Sequence, residues 1–308
     1  MEPQRTLSPS AYRHVVFPSA FPPRLAPQNH APGVATPTGI REAEPTEDDA
    51  FVRWVFERCG LNSSDFRPQT LRRRVGACLR ALRVASVVEA RAAIARSPGN
   101  LLKALGSLLI GVTGFFRDLP EFAYLKDRVL PELIRGDSAL RIWSVGCSDG
   151  AELYSVAILL AELNALHRCN LLGTDCRREA IDQAAEAMYD PAAVEAVPRH
   201  LLLKYFHASG TKWRANAMLR TAVQWRTADA LSVAEPGLWN LILCRNVAIY
   251  LAPPAAAKLW SRLSAALRPG GVLMLGKAER AIGADGLTPI THGFLRRTGS
   301  ERFPTTQE

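Results

Sequence analysis

Residues that could do chemistry recur at one kind of place in this chain, just after short apolar runs. LRIWSV is followed by Gly146, Gly150 and Glu152, NLLGT by Asp175, VQWRT by Asp229, and WNLILC by Arg245, Asn246 and then Tyr250. Two glycines four apart let a chain leave a buried strand sharply and let a ligand approach the backbone where a Cβ would stand. Taken alone, they also fit any tight turn between a strand and a helix. Glu152 falls in the first helical turn, where an acid can accept hydrogen bonds from an ammonium group. Asp175 stands where an acid can hold both hydroxyls of a ribose, its alternative being a loop or cap residue. Asp229 can accept from an adenine amino group. An arginine and an asparagine at a buried strand end need partners for many donors, so Arg245 and Asn246 call for a polar ligand, a closing loop or, for Arg245, an internal salt bridge.

The elements that must carry these residues follow from periodicity. Apolar runs at 140–145, 170–174, 223–227, 239–244 and 271–276 alternate with longer helical patterns, which predicts a parallel sheet covered on both faces. Ligands bind beyond the carboxyl ends of such strands. FLRRTGSERF reads as an antiparallel hairpin turning at Gly299. The polar stretch 205–221 fits neither pattern and reads as a small β insertion. Upstream, Thr46 can cap a helix beginning EDDAFVRWVFERCG, with acids in its first turn and Gly60 past its last. In the next helix Leu71, Val75, Cys78, Leu79 and Leu82 recur at helical spacing and leave Arg72, Arg73, Arg80 and Arg83 outside. SVVEARAAIARS and LLKALGSLL continue the pattern, giving a helical domain over 46–120, a linker helix over 121–136 and an α/β domain over 137–303. Residues 1–45 hold nine of the 21 prolines and read as a disordered tail, with a short tail at 304–308.

Composition narrows the classes. The 308 residues, 48% of them hydrophobic, are enough for two compact domains. The longest apolar run, Val156 to Leu163, is broken by Glu162 and falls short of the ~18 residues of a membrane span. No secretory leader pattern opens the chain, so the cytoplasm is the expected compartment. Six cysteines without a C-x-x-C pair imply neither zinc nor disulfides, and no metal site is expected. The net charge of +9 is concentrated: from Arg67 to Arg96 eight arginines face one acid, Glu89. Such a block suits nucleic acid, an anionic membrane or an acidic protein surface, or is a solvated helix face.

At this point a resemblance enters. GVTGFFRD (111–118), RIWSVGCSDGAELYS (141–155), GTD (173–175), CRNVAIY (244–250) and LRPGGVLMLGKAE (267–279) resemble, in order, the motifs of the CheR-type chemotaxis methyltransferases. These enzymes use S-adenosylmethionine to methylate glutamate side chains of chemoreceptors. The resemblance spans about residues 50–303 and implies a class I methyltransferase fold, a Rossmann-like, mostly parallel sheet with an antiparallel C-terminal hairpin, preceded by a small all-α domain. It implies cofactor contacts at Thr113, Arg117, Glu152, Asp175, Asp229, Ala230, Arg245 and Asn246, beside the Gly146 and Gly150 turn, with S-adenosylhomocysteine as product. Arg117 and Tyr250 match the residues nearest the transferring methyl, and the basic helix matches the one thought to meet the acidic receptor. It further implies a monomer whose partners are acidic helices of methyl-accepting receptors, not nucleic acid. Members that dock on a receptor's C-terminal pentapeptide carry extra glycines in the insertion, where this chain has only Gly210, which argues against tethering. The chain departs from the family pattern at Gly111 (usually Asn), at Ala151 and Leu153 around Glu152, at Arg177 (usually Asp) and at Ala278 (usually Ser).

Two other classes compete. A catalytically weak or inactive relative that binds cofactor or receptor is suggested by those departures. A nucleic-acid methyltransferase is suggested by the charge, but the Asn-Pro-Pro-Tyr or Asp-Pro-Pro-Tyr that positions a base amine is missing.

Overall fold

A computed structural model describes residues 46–109, 111, 113–232, 235 and 237–299; the tails expected at 1–45 and 304–308 lie outside them. Helix α1 (Glu47–Arg58) starts at a reciprocal capping box, the Thr46 side chain accepting from the Asp49 N–H while the Asp49 carboxylate accepts from the Thr46 N–H. Helices α2 (Pro68–Leu82), α3 (Val87–Arg96) and α4 (Pro98–Leu108) follow. Their apolar stripes meet in one core that includes Phe51, Val55, Phe56, Leu71, Val75, Ile94 and Leu105. Helix α4 stops at Leu108, and the next helix among the described residues is α5 (Leu119–Tyr124).

The linker expected over 121–136 starts slightly earlier: α5 continues through a π-helical turn, Leu125–Val129, into α6 (Leu130–Gly136). Pro131 explains the widened turn, because its ring lacks an N–H for the preceding turn and would crowd the carbonyl there.

The α/β region runs β1 (Leu140–Val145), α7 (Ala151–Glu162), β2 (Cys169–Asp175), α8 (Arg178–Glu186), β3 (Met188–Tyr189), α9 (Arg199–Tyr205), β4 (Phe206–Ser209), β5 (Lys212–Ala215), α10 (Ala217–Ala222), β6 (Val223–Thr227), β7 (Trp239–Cys244), α11 (Pro253–Ala266), β8 (Leu267–Leu275), β9 (Leu287–Thr291) and β10 (Phe294–Arg297). Seven strands form one sheet in the order β6-β2-β1-β7-β8-β10-β9. The first five of these are parallel, and β10 is antiparallel to both β8 and β9. Because both faces are covered, the central strands β1 and β7 are mainly apolar on both sides. Ile142, Leu241, Leu243, Val272 and Met274 pack on the α7 side, and Trp143, Val145, Ile242, Leu273 and Leu275 on the α11 side.

Two sequence expectations are corrected. The C-terminal hairpin turns at His292–Gly293, with Gly293 at φ +80°, and not at Gly299. FLRR is therefore the second strand of the hairpin; Pro289 hides the first, and a proline is tolerated there because β9 is the sheet edge. The insertion holds a β4–β5 hairpin, but β3 from upstream pairs with β5 to make three strands, and residues 217–222 are helical behind an Asn216 cap.

One junction between the helical region and the sheet runs through the Asp65–Arg67 segment. Phe66 bridges Leu251, the Arg67 N–H donates to the Tyr250 carbonyl (2.9 Å), and the Ala252 N–H donates to the Asp65 carbonyl (2.8 Å).

Candidate functional site

Thr113, Arg117, Gly146, Glu152, Asp175, Asp229, Ala230, Arg245, Asn246 and Tyr250 all line one cavity at the carboxyl ends of β1, β2, β6 and β7. Gly150 does not. It stands behind the wall at φ +84°, where a Cβ would come within 2.5 Å of the Trp225 ring, so this glycine serves the turn and its packing. Gly146, at φ +65°, is the close approach: a Cβ there would lie 2.5 Å from the Val247 side chain, which itself lines the cavity.

At one end, the internal salt bridge considered for Arg245 is what forms. Its guanidinium donates to Glu152 Oε2 (3.0 Å), Asp118 Oδ2 (2.6 Å) and the Arg117 carbonyl (3.1 Å). The Arg245 side chain is 2% exposed, so this pairing is what keeps its charge tolerable inside the fold. Glu152 Oε1 accepts from the Ser144 hydroxyl (3.0 Å). Lys277 reaches Asp118 from the other side (2.9 Å). Burial alone would raise the Asp118 carboxyl, but Lys277 and Arg245 outweigh it and hold the group below the ordinary carboxylate value.

At the other end stands Asp175, whose oxygens accept from the Ser148 N–H (3.0 Å), the Arg177 N–H (2.9 Å) and, as a fork, from Arg177 Nε (3.0 Å) and Nη2 (3.1 Å). The Arg177 guanidinium also reaches the Ser148 hydroxyl (3.2 Å) and the Leu109 carbonyl (3.4 Å). Burial would lower the pKa of Arg177, but Asp175 more than offsets this and raises it. Gly111 lies against that guanidinium, and a Cβ there would collide with it. Two of the departures from the family pattern, Gly111 and Arg177, thus meet in space.

Between these ends, Asp229 keeps Oδ1 on the Leu231 N–H (3.0 Å), and Leu231, Ile249 and Leu259 supply apolar wall. Acids at both ends with apolar surface between suit a ligand that carries an amine, a ribose diol and a flat base, so the residues present fit S-adenosylmethionine.

Four residues around the cavity hold left-handed backbone without being glycine: Phe116 (φ 50°), Asp118 (φ 67°), Ser148 (φ 52°) and Asn246 (φ 59°). Such conformations cost about 1–3 kcal/mol each and persist only where neighbours enforce them. Each is pinned: the Phe116 N–H donates to Ser155 Oγ (3.0 Å), Ser148 to Asp175, Asp118 accepts from Arg245, and the Asn246 N–H donates to Glu279 Oε2 (2.8 Å). Glu279 collects the N–H groups of Val247 (2.8 Å), Ala248 (2.8 Å) and Gly276 (2.9 Å) as well, so one buried carboxylate shapes the loop after β7. Sequence reasoning did not select Asp118, Ser148 or Glu279 as site residues. Asp118 and Glu279 close two of the motifs quoted above, which is the signal that could have found them.

Arg117 is exposed at the cavity, and Tyr250 is half-buried there, with Phe66 completing the wall beside it. Arg73 and Arg80 are exposed on α2 and Arg83 is exposed just past its end, and none of the three lines the cavity. Arg72 is not equivalent to them, because it pairs with Asp49 (2.6 Å) and holds α2 to α1.

Residues 111–291 match the model of the family described as CheR methyltransferase, SAM binding domain. The chain is 30% identical over 243 residues to Chemotaxis protein methyltransferase 1 of Pseudomonas aeruginosa, covering 75% of this chain and 89% of the relative. It is 31% identical over 242 residues to Chemotaxis protein methyltransferase 2 of the same species, covering 76% and 86%. With Chemotaxis protein methyltransferase of Borreliella burgdorferi it shares 26% identity over 254 residues, covering 78% and 90%.

Proposed function

The chain belongs to the CheR methyltransferase family, and on that premise we propose that it transfers a methyl group from S-adenosylmethionine to glutamate side chains of chemotaxis receptors. The S-adenosylmethionine-dependent methyltransferase activity comes with the family; the glutamate substrate and the residue roles are our reading. The observation that carries it is the single cavity in which Glu152, Asp175, Asp229 and Arg245 are gathered with Arg117 and Tyr250 at the carboxyl ends of the sheet.

When bound, S-adenosylmethionine supplies an electrophilic methyl on a sulfonium. Asp175 is the acid for the ribose diol, Asp229 with Ala230 for the adenine, and Glu152, steadied by Arg245, for the amino acid end. A glutamate carboxylate is already ionised at neutral pH, so no general base is required. What the protein adds is alignment of oxygen, methyl and sulfur with water held away. Arg117 can hold the incoming carboxylate through its fork, and the Tyr250 hydroxyl can orient one oxygen or the methyl. The strand-like bridge at Phe66 and Leu251 keeps Tyr250 from drifting. Arg73, Arg80 and Arg83 offer a positive face to acidic receptor helices, and we take residues 46–120 as the docking unit and 137–303 as the transferring one.

Incubating the protein with S-adenosylmethionine and a receptor helical fragment tests this by mass spectrometry. Methyl adducts on glutamate that are lost in mild base are expected. Cofactor binding with no adduct would favour a binding-only role, and methylated nucleic acid would overturn the substrate assignment.

A further inference from the structure

We propose that Arg177 gates the ribose end of the site: its guanidinium occupies the carboxylate lone pairs that a ribose diol needs, so that cofactor binds by displacing it. This rests on the reading of Asp175 as the diol-binding acid. The Asp175 side chain is 5% exposed and has no water-facing oxygen to spare. Two of its hydrogen bonds come from backbone, the Ser148 and Arg177 N–H groups, and these are fixed by the turn. The other two come from the Arg177 fork, one on each oxygen. A carboxylate offers about four acceptor sites, and all are filled. A diol also needs one site on each oxygen, so it can enter only at the fork's expense.

The guanidinium has a second seat. Nη2 already touches Ser148 Oγ (3.2 Å) and Nη1 the Leu109 carbonyl (3.4 Å), so it can keep partners while yielding Asp175. That seat depends on Gly111, because a side chain there would collide with the guanidinium and come within 2.5 Å of Ser148 Oγ. Both Gly111 and Arg177 line the cavity, which an ion pair serving only to brace the fold would not need to do. A gate has a signature that a brace lacks: removing it lowers the stability of the protein and raises its affinity for ligand.

The test measures S-adenosylhomocysteine affinity by calorimetry and thermal unfolding without ligand, for the full chain and its Arg177→Ala, Gly111→Ala and Asp175→Asn variants. Arg177→Ala is expected to unfold at lower temperature yet bind about three- to tenfold more tightly, the scale of the net contribution of one ordinary hydrogen bond. Gly111→Ala, which removes the second seat, should bind no more tightly than wild type, because the guanidinium then has no place to go when it yields Asp175. The dideoxy form of the ligand, lacking both ribose hydroxyls, should bind wild type and Arg177→Ala alike. Unchanged or weaker binding by Arg177→Ala overturns the gate while leaving Asp175 in place. Binding by Asp175→Asn equal to wild type removes Asp175 as the diol acid, and the gate with it.

Discussion

Arg245 is the residue on which the amino-acid end of the cavity depends. With a side chain 2% exposed and two acids on it, its replacement leaves Glu152 without its cation and Asp118 dependent on Lys277. Arg245→Ala is expected to lose about 3 kcal/mol in urea unfolding, the lower end for a broken buried pair because the acids are partly accessible. Glu279 is the second such residue. Its carboxylate holds four N–H groups, and Glu279→Gln, which keeps the shape but halves the acceptors, should destabilise by about 2 kcal/mol and weaken S-adenosylhomocysteine binding through a looser Asn246. Calorimetry on the variant checks both. Position after an apolar run singles out Glu152, Asp175, Asp229 and Arg245 as candidates, and all four line the cavity. Their partners were less legible, because Asp118, Ser148 and Glu279 arrive from separate segments and nothing local marks which acid will meet which donor. Arg177 shows the same gap: as a sequence feature it is an extra charge, and only the fold puts its fork on Asp175.

Elements were read well where burial is two-sided and poorly at edges. The runs at 140–145 and 239–244 became strands with those bounds because a sheet covered on both faces keeps them mainly apolar; the exception among the edges is the strand at 223–227, which kept its bounds although it is largely exposed. The edge strand β9 alternates weakly and contains Pro289, so its hairpin was displaced toward Gly299. Among the helices, Asp49 links two roles, capping α1 and holding Arg72 on α2. The Arg72 hydrogen bond lowers Asp49 from 3.8 to about 2. A depressed acid contributes stability above its unfolded value that is lost as pH falls through the folded one. The stability gap between wild type and Asp49→Asn should therefore be full above about pH 4 and close as pH drops toward about 2, as acid titration of unfolding would show. With Arg72 committed to Asp49, the proposed docking face narrows to Arg73, Arg80 and Arg83. Reversing Arg73 and Arg80 to Glu should slow receptor methylation and flatten its salt dependence while cofactor affinity stays; unchanged kinetics would remove the docking role.

In the whole molecule, charge and chemistry are kept apart but mechanically connected. Four arginines and no acid lie on α2, whereas the cavity is lined by acids balanced with Arg245 and Arg177. The connection between them is the Asp65–Arg67 segment, which follows the first helix and clamps the backbone on both sides of Leu251, next to Tyr250. A partner resting on the basic face would therefore lie on the same rigid unit that sets the Tyr250 loop. No helix among the described residues is long and apolar enough to cross a membrane. The central claim is that this cavity moves a methyl group onto a carboxylate using Arg117 and Tyr250. The direct measurement is single-turnover transfer of labelled methyl from saturating S-adenosylmethionine to a receptor helical fragment, by wild type, Arg117→Ala and Tyr250→Phe. The expected result is base-labile label on the fragment with wild type and at least about tenfold slower transfer in both variants, although cofactor remains bound. Transfer at the wild-type rate in both variants, or bound cofactor with no label in the fragment from wild type, would contradict it.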